Sequence, residues 1–158
     1  MDVQTFQASL LFEPSVIRTR SGSPFTVFTP FLRHVLARDE PRRPLPPPGQ
    51  ITGASGVASE RLEGWGLEPR TPDWAAKLAE HWTRGEAGAR ERLADFADGA
   101  LADYADRRDR PDLPGTSRLS PHLRFGEVSP FQVWHAIMHA REAAHGTRAI
   151  GAGTDKFI

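Results

Sequence analysis

The stretch Gly115-Thr116-Ser117-Arg118-Leu119-Ser120-Pro121 gathers three hydroxyls, one guanidinium and a flexible glycine directly before a helix start. Backbone N–H groups at such a start favour an anion, and Ser, Thr and Arg side chains add donors around it. A phosphate or pyrophosphate group asks for that donor set. A helix capped by Ser120 with surface hydroxyls before it has the same look, so residue types alone leave both readings open. The remaining candidates are weaker. His135 and His139 stand one helical turn apart, a spacing that can hold a metal, but Glu142 or His145 would have to bend round to add a third ligand, and no metal site is expected. Asp103, Asp106, Asp109 and Asp112 form no paired acid/base site, and no Ser–His–Asp motif supports hydrolysis, so no catalytic residue is assigned. Arg108 beside Arg107 and Asp106 reads equally as a solvated charge run. Trp134 lies on an apolar stripe and reads as core rather than as an electron relay.

Composition bounds what these residues can do. Basic and acidic residues balance at 20 each, so the chain carries no global electrostatic footprint for nucleic acid, and any such contact must be a local patch. Lys77 and Lys156 are the lysines and the other cations are Arg, which suits bidentate phosphate contacts but reads first as compositional bias. With no cysteine, disulfides, thiolate catalysis and Cys-based metal sites are excluded. The N-terminal stretch has Asp2 and no basic segment, and no apolar run approaches the roughly 20 residues that span a bilayer, so a cytoplasmic protein with no membrane contact is expected.

The elements that must position the candidate loop read as mainly α. The run Val3 to Phe12 reads as a strand ending at Glu13-Pro14, with a short strand-like piece at 15–19. A lone strand needs a neighbour for its backbone groups, which points to a sheet that lies outside the chain. Four hydroxyl-proline pairs, Thr29-Pro30, Thr71-Pro72, Ser120-Pro121 and Ser129-Pro130, each predict a helix start with Pro as first helical residue. From 39 to 70 prolines and glycines break every period, and this stretch reads as an interdomain linker. A short helix is predicted over 73–82, and Thr83-x-x-Glu86 predicts a capping box. The helix after it carries Leu93, Phe96, Ala97, Ala100, Leu101 and Tyr104 on one face. A final helix runs from Pro130, with Phe131, Trp134, Ile137, Met138 and Arg141 on one side.

The sequence Tyr104…Arg108…Gly115-Thr116-Ser117-Arg118-Leu119-Ser120-Pro121-His122-Leu123-Arg124-Phe125-Gly126-Glu127-Val128-Ser129-Pro130 resembles the start of the flavin-binding helical domain of DNA photolyases and cryptochromes. Gly22-Ser23-Pro24-Phe25-Thr26-Val27-Phe28-Thr29-Pro30-Phe31 resembles that family's link from its α/β antenna domain into the helical part. Trp82-Thr83-Arg84-Gly85-Glu86 with Ala89, Leu93 and Phe96 fits as well, and the blocks follow in the family's order over nearly the whole chain. The resemblance divides the chain into the end of the α/β domain and its connection (1–38), the linker (39–70) and the N-terminal part of an incomplete helical FAD-binding domain (71–158).

Carried over residue by residue, the resemblance implies that Tyr104, Thr116, Ser117, Arg118, Leu119 and Ser120 contact FAD. The hydroxyls and N–H groups of Thr116, Ser117 and Ser120 would hold the pyrophosphate and ribityl region, Arg118 would add charge, and Leu119 would face the cofactor with its backbone. Arg108 matches an arginine that contacts the DNA backbone. The implied activity is deoxyribodipyrimidine photo-lyase chemistry: a reduced, light-excited flavin donates an electron to a cyclobutane pyrimidine dimer in damaged DNA, the dimer splits and the electron returns. A cryptochrome, a blue-light receptor without repair, shares the same loop, and an inert truncated product is the third reading. The resemblance further implies a monomer, an antenna chromophore of folate or deazaflavin type whose site would precede Met1, and a Trp- and Arg-containing helical continuation after Ile158. The chain on its own is expected to bind FAD weakly and repair nothing, since a flavin held by one loop and one Tyr is mostly exposed, and faces such as Phe131/Trp134/Met138 are expected to lack partners.

Overall fold

The computed structural model describes residues 2–4, 9–68, 70–144 and 148–158. Its regular structure is helical throughout, with no strand among the described residues. The helices are α1 (Phe28–Leu36), α2 (Trp74–Ala79), α3 (Gly85–Asp95), α4 (Leu101–Arg107), α5 (Ser120–Arg124), α6 (Pro130–Ala143) and α7 (Arg148–Phe157). A 3-10 turn at Leu62–Trp65 is the sole regular element described between α1 and α2, and a π-turn at Phe96–Ala100 joins α3 to α4.

The core forms where the α3–α4 run, α6 and α7 meet. Ala89, Leu93, Phe96, Leu101, Leu119, Val128, Val133 and Ile137 are buried in one cluster, with Tyr104, Ile150 and Phe157 packed against it. The face expected from 93 to 104 is therefore the one that turns inward, but an unbroken α-helix would not keep it together. Eight residues at 3.6 per turn carry Tyr104 about 80° round from Phe96, whereas one extra residue absorbed in a π-turn brings it back to within about 20°. Leu101 N–H accordingly reaches the Phe96 carbonyl, five residues back. Phe96 and Tyr104 then meet edge to face at 5.6 Å, and Phe157 of α7 closes the group at 4.8 Å from Phe96 and 5.3 Å from Tyr104.

Several of the expected helices differ in their starts, and α2 differs also in its end. α1 begins at Phe28, ahead of Thr29-Pro30, with Val27 at the cap position and no side-chain cap. α2 begins at Trp74, capped by Asp73, whose carboxylate accepts from the Ala76 N–H at 3.1 Å, and it ends at Ala79 instead of Trp82. The Asp73 carboxylate is the stronger acceptor, so Thr71-Pro72 stays outside the helix. At Ser120-Pro121 both residues lie inside the first turn, Leu119 holds the cap position and Ser120 makes no cap bond. Ser129-Pro130 alone behaves as expected, and its cap is reciprocal: Ser129 Oγ accepts from Gln132 N–H at 3.2 Å while Gln132 Oε1 accepts from Ser129 N–H at 2.8 Å.

The capping box at Thr83 does not form. Gly85 has φ +91, outside the helical range, so α3 starts too late for Thr83 to serve it, and Arg84 takes the cap position with no side-chain bond. The helix from Pro130 is not the last, because α7 follows and its Asp155 pairs with Arg141 at 2.8 Å. Phe131 does not lack a partner: it is 1% exposed, with the Arg42 guanidinium 4.1 Å from its ring centroid. The chain at Glu40–Arg42 lies along α6, where His135 Nε2 is 3.0 Å from the Pro41 carbonyl oxygen. Trp134, half-buried, lines an apolar cleft of about 270 Å³ with Leu32, Val35, Ile137 and Phe157. Of the strand expected from Val3 to Phe12, residues 5–8 lie outside the described residues, and the others are not in a strand. Residues 15–19 hold no strand either, and Val16 N–H closes a turn on the Glu13 carbonyl.

The contact of α4 with α7 depends on a missing side chain. A Cβ on Gly153 would collide with the Leu101 carbonyl oxygen, whereas one on Gly151 would meet nothing. Gly153→Ala is therefore expected to cost about 1–3 kcal/mol by overpacking. Gly151→Ala, inside the same helix, is expected to be neutral or to stabilise by about 0.5–1 kcal/mol. Denaturant midpoints of the two variants check this, and equal effects would contradict the close packing.

Candidate functional site

The residues singled out for flavin contact lie on one stretch of chain between α4 and α5 and on the last turns of α4. Gly115 is buried against α4, and a Cβ there would stand 2.7 Å from Arg107 Cβ and 2.8 Å from the Arg107 carbonyl oxygen. That approach brings the loop start close to the helix that carries Tyr104 and Arg108. Leu119 is 1% exposed and belongs to the core cluster, so the loop is pinned at both ends. Between the pins, Thr116 and Arg118 are exposed and Ser117 is half-buried, while Ser120 is exposed at the first turn of α5. None of the Thr116, Ser117 and Ser120 hydroxyls bonds to another described residue. Three donors in one loop therefore stay available.

Arg118 adopts φ 53, a left-handed conformation that opposes a side chain and that nothing in the residue order foretold. Such outliers persist where surrounding structure over-determines them, and here Leu119 is held immediately after. Arg108 keeps 37% of its side chain exposed, sits 5.9 Å from the Tyr104 ring centroid and pairs with Asp109 at 3.3 Å. Its guanidinium thus bridges the aromatic group and the surface. No group of His, Asp or Glu that could hold a metal occurs among the described residues, and His145 is outside them. His135 is engaged instead with the chain at 40–42.

The interaction that sequence reasoning missed lies just after the loop. His122 on α5 is 2% exposed, and its Nδ1 is 2.6 Å from Glu127 Oε2. An ionised carboxylate only accepts, so the ring donates from Nδ1. The other Glu127 oxygen accepts from the Gly85 N–H at 2.9 Å, which supplies α3 with the cap that Thr83 does not. The His122 bond first, and the Gly85 N–H after it, hold the Glu127 carboxyl below the ordinary carboxylate range. The pattern His-x4-Glu was visible in the sequence, but its partner Gly85 is 42 residues away and no periodicity links them.

A cleft of about 530 Å³ is lined by Trp74, Trp82, Phe125, Arg70 and Arg84, and its Trp82 meets the His122 ring. The hydroxyl loop lines neither it nor the cleft beside Trp134. The loop's donors lie on open surface in this chain.

The family model described as DNA photolyase matches residues 1–49. The chain is 48% identical over 137 residues to a deoxyribodipyrimidine photo-lyase of Agrobacterium fabrum, covering 86% of this chain and 29% of the relative. It is 36% identical over 138 residues to Cryptochrome-1 of Arabidopsis thaliana, covering 85% of this chain and 20% of the relative. A crystal structure of a bacterial class III photolyase from Agrobacterium tumefaciens superposes with a TM-score of 0.83 at 45% identity, over 92% of this chain and 30% of that one. Photolyases and cryptochromes are one class of protein, and the fold falls within it. The chain is similar along most of its length to members of the DNA photolyase/cryptochrome family, and it spans less than a third of the length of these relatives. No described helix is long and apolar enough to cross a membrane.

The Glu127 tie makes stability depend on pH in a defined direction. Its folded carboxyl titrates below the unfolded value of about 4.3, so the contribution is complete above that pH and is lost as pH falls through the lower folded value. The melting-temperature difference between the parent and Glu127→Ala is expected to be constant from neutral pH down to about 5 and to shrink below about 4. A difference that grows on acidification would contradict the assignment.

Proposed function

We propose that this chain is part of a light-driven DNA repair flavoprotein, a deoxyribodipyrimidine photo-lyase that splits cyclobutane pyrimidine dimers by electron transfer from reduced, excited FAD. The observation that carries the reading is the 48% identity over 137 residues to the Agrobacterium fabrum photo-lyase. The hydroxyl loop supports it, because a pyrophosphate needs donors that are not already spent and Thr116, Ser117 and Ser120 have theirs free among the described residues. In this reading those three hold the pyrophosphate and ribityl region, Arg118 adds a positive charge and Leu119 anchors the loop with its backbone towards the cofactor. Tyr104 lies against the flavin, on a ring already oriented by Phe96 and Phe157. The flavin, when bound, supplies the one-electron chemistry, and the chain supplies orientation and electrostatics.

Arg108 contacts the phosphate backbone of damaged DNA from its exposed position at the end of α4. The dimer leaves the duplex to reach the flavin, since a stacked base cannot. An antenna chromophore of folate or deazaflavin type belongs to the parts of such a protein outside this chain. The 36% identity to Cryptochrome-1 favours a second reading, a blue-light receptor without repair, which uses the same loop. The open surface around the loop supports weak FAD binding by the chain alone, because cofactor sites bury most of their ligand.

The test is a chimera in which this chain replaces the matching segment of the Agrobacterium fabrum photo-lyase. The chimera is expected to retain flavin and to split cyclobutane dimers in blue light. Flavin retention without splitting would favour the receptor reading, and a folded chimera without flavin would overturn the site. Removing one hydroxyl at Thr116 or Ser117 is expected to weaken flavin binding about tenfold. Arg108→Ala is expected to weaken DNA binding evenly across sequences and to lower the salt slope by about one.

A further inference from the structure

The five residues of α5 are far too few to hold a helix by themselves, so their placement is decided by tertiary contacts. Leu119 supplies one contact by burial in the core. The other is a closed set of hydrogen bonds around one carboxylate. Glu127 Oε2 accepts from the His122 Nδ1–H at 2.6 Å, Oε1 accepts from the Gly85 N–H at 2.9 Å, and the Glu127 N–H donates to the His122 carbonyl at 2.9 Å. The His122 ring lies edge-on to Trp82 at 6.4 Å, and the Arg92 guanidinium covers Trp82 at 5.2 Å from its ring centroid. No bond of the set involves a hydroxyl of Thr116, Ser117 or Ser120. The set therefore locks α5 to the first turn of α3 while leaving Thr116, Ser117 and Ser120 free.

We propose that His122 and Glu127 are positioning residues for the hydroxyl loop: by tying α5 to α3, they fix where Thr116–Ser120 stands beside Tyr104 before any ligand arrives. The inference rests on the reading of that loop as flavin-contacting, and it adds how the loop is held ready. Ordering an unheld loop would have to be offset by the ligand's own contacts, so releasing the tie weakens binding without removing a single ligand contact. Gln at 127 can keep the tie, with its carbonyl accepting from Gly85 and its amide donating to the ring in the other tautomer, whereas Ala cannot.

Hydrogen exchange on the 158-residue chain, first without and then with added FAD, tests the proposal. Without FAD, Glu127→Ala is expected to speed exchange of residues 115–124 about tenfold or more while α6 and α7 are unchanged, and Glu127→Gln to stay within about threefold of the parent. His122→Phe, which keeps a ring but removes its N–H donor and leaves the Gly85 bond in place, is expected to release the same segment and decides the matter if Glu127→Ala does not fold. Unchanged exchange of 115–124 in the folded variants would overturn the proposal. With FAD, protection of 115–120 is expected in the parent and to need about tenfold more FAD in the released variants. If millimolar FAD protects nothing in the parent, the flavin reading fails, while the exchange without FAD still decides whether the tie holds the loop.

Discussion

The two oxygens of the Glu127 carboxylate accept from two places that the chain separates widely, and most of the local order around the site follows from that. One oxygen closes the start of α3 and the other holds the ring of His122. A buried ring N–H and an uncapped helix end would each be costly alone, and one charged acceptor serves both, while His122 Nε2 stays buried without a partner. Because a charge-assisted bond is roughly twice as strong as a neutral one, a short helix such as α5 can keep its place with few other contacts.

The π-turn and the glycine of α7 solve a second problem, which is how to keep one face of a helical run turned inward past its break. With the extra residue in the π-turn, Phe96 and Tyr104 share a face and Phe157 can join them. Gly153 lets the α7 backbone come against Leu101, and this closeness delivers Phe157 to the aromatic group. The two edge-to-face pairs, Tyr104 with Phe96 and with Phe157, contribute about 0.5–1.5 kcal/mol each beyond their burial, so the group is a stable platform.

Polar chemistry is distributed by burial. His122, Leu119 and Gly115 are buried and structural, whereas Thr116, Arg118 and Ser120 are exposed and unengaged by the chain. Arg110 and Asp112, paired at 2.7 Å on the surface between α4 and the loop, add little, as exposed ion pairs do. A neutral chain can still offer a local anion site, since what matters is the arrangement of donors and not the total charge.

Residue types and spacing by themselves determined the helical class, the apolar period that starts at Leu93 and Phe96, the reciprocal cap at Ser129 and the hydroxyl loop, and contiguous motifs carried the resemblance to a family. Each of these is a local pattern: a period, a cap pair, or a contiguous motif, whose physics is complete within a few residues. Tertiary structure alone decided the rest. The inward turn of Tyr104 needed the π-turn. Three of four hydroxyl-proline pairs were not caps, because a better acceptor lay nearby, as Asp73 did, or because the helix began elsewhere. Thr83 lost its box to Gly85, whose left-handed backbone is invisible in a one-letter code. The partner of Glu127 and the neighbour of Gly153 come from distant parts of the chain, and such meetings are set by how whole helices pack rather than by any pattern along them.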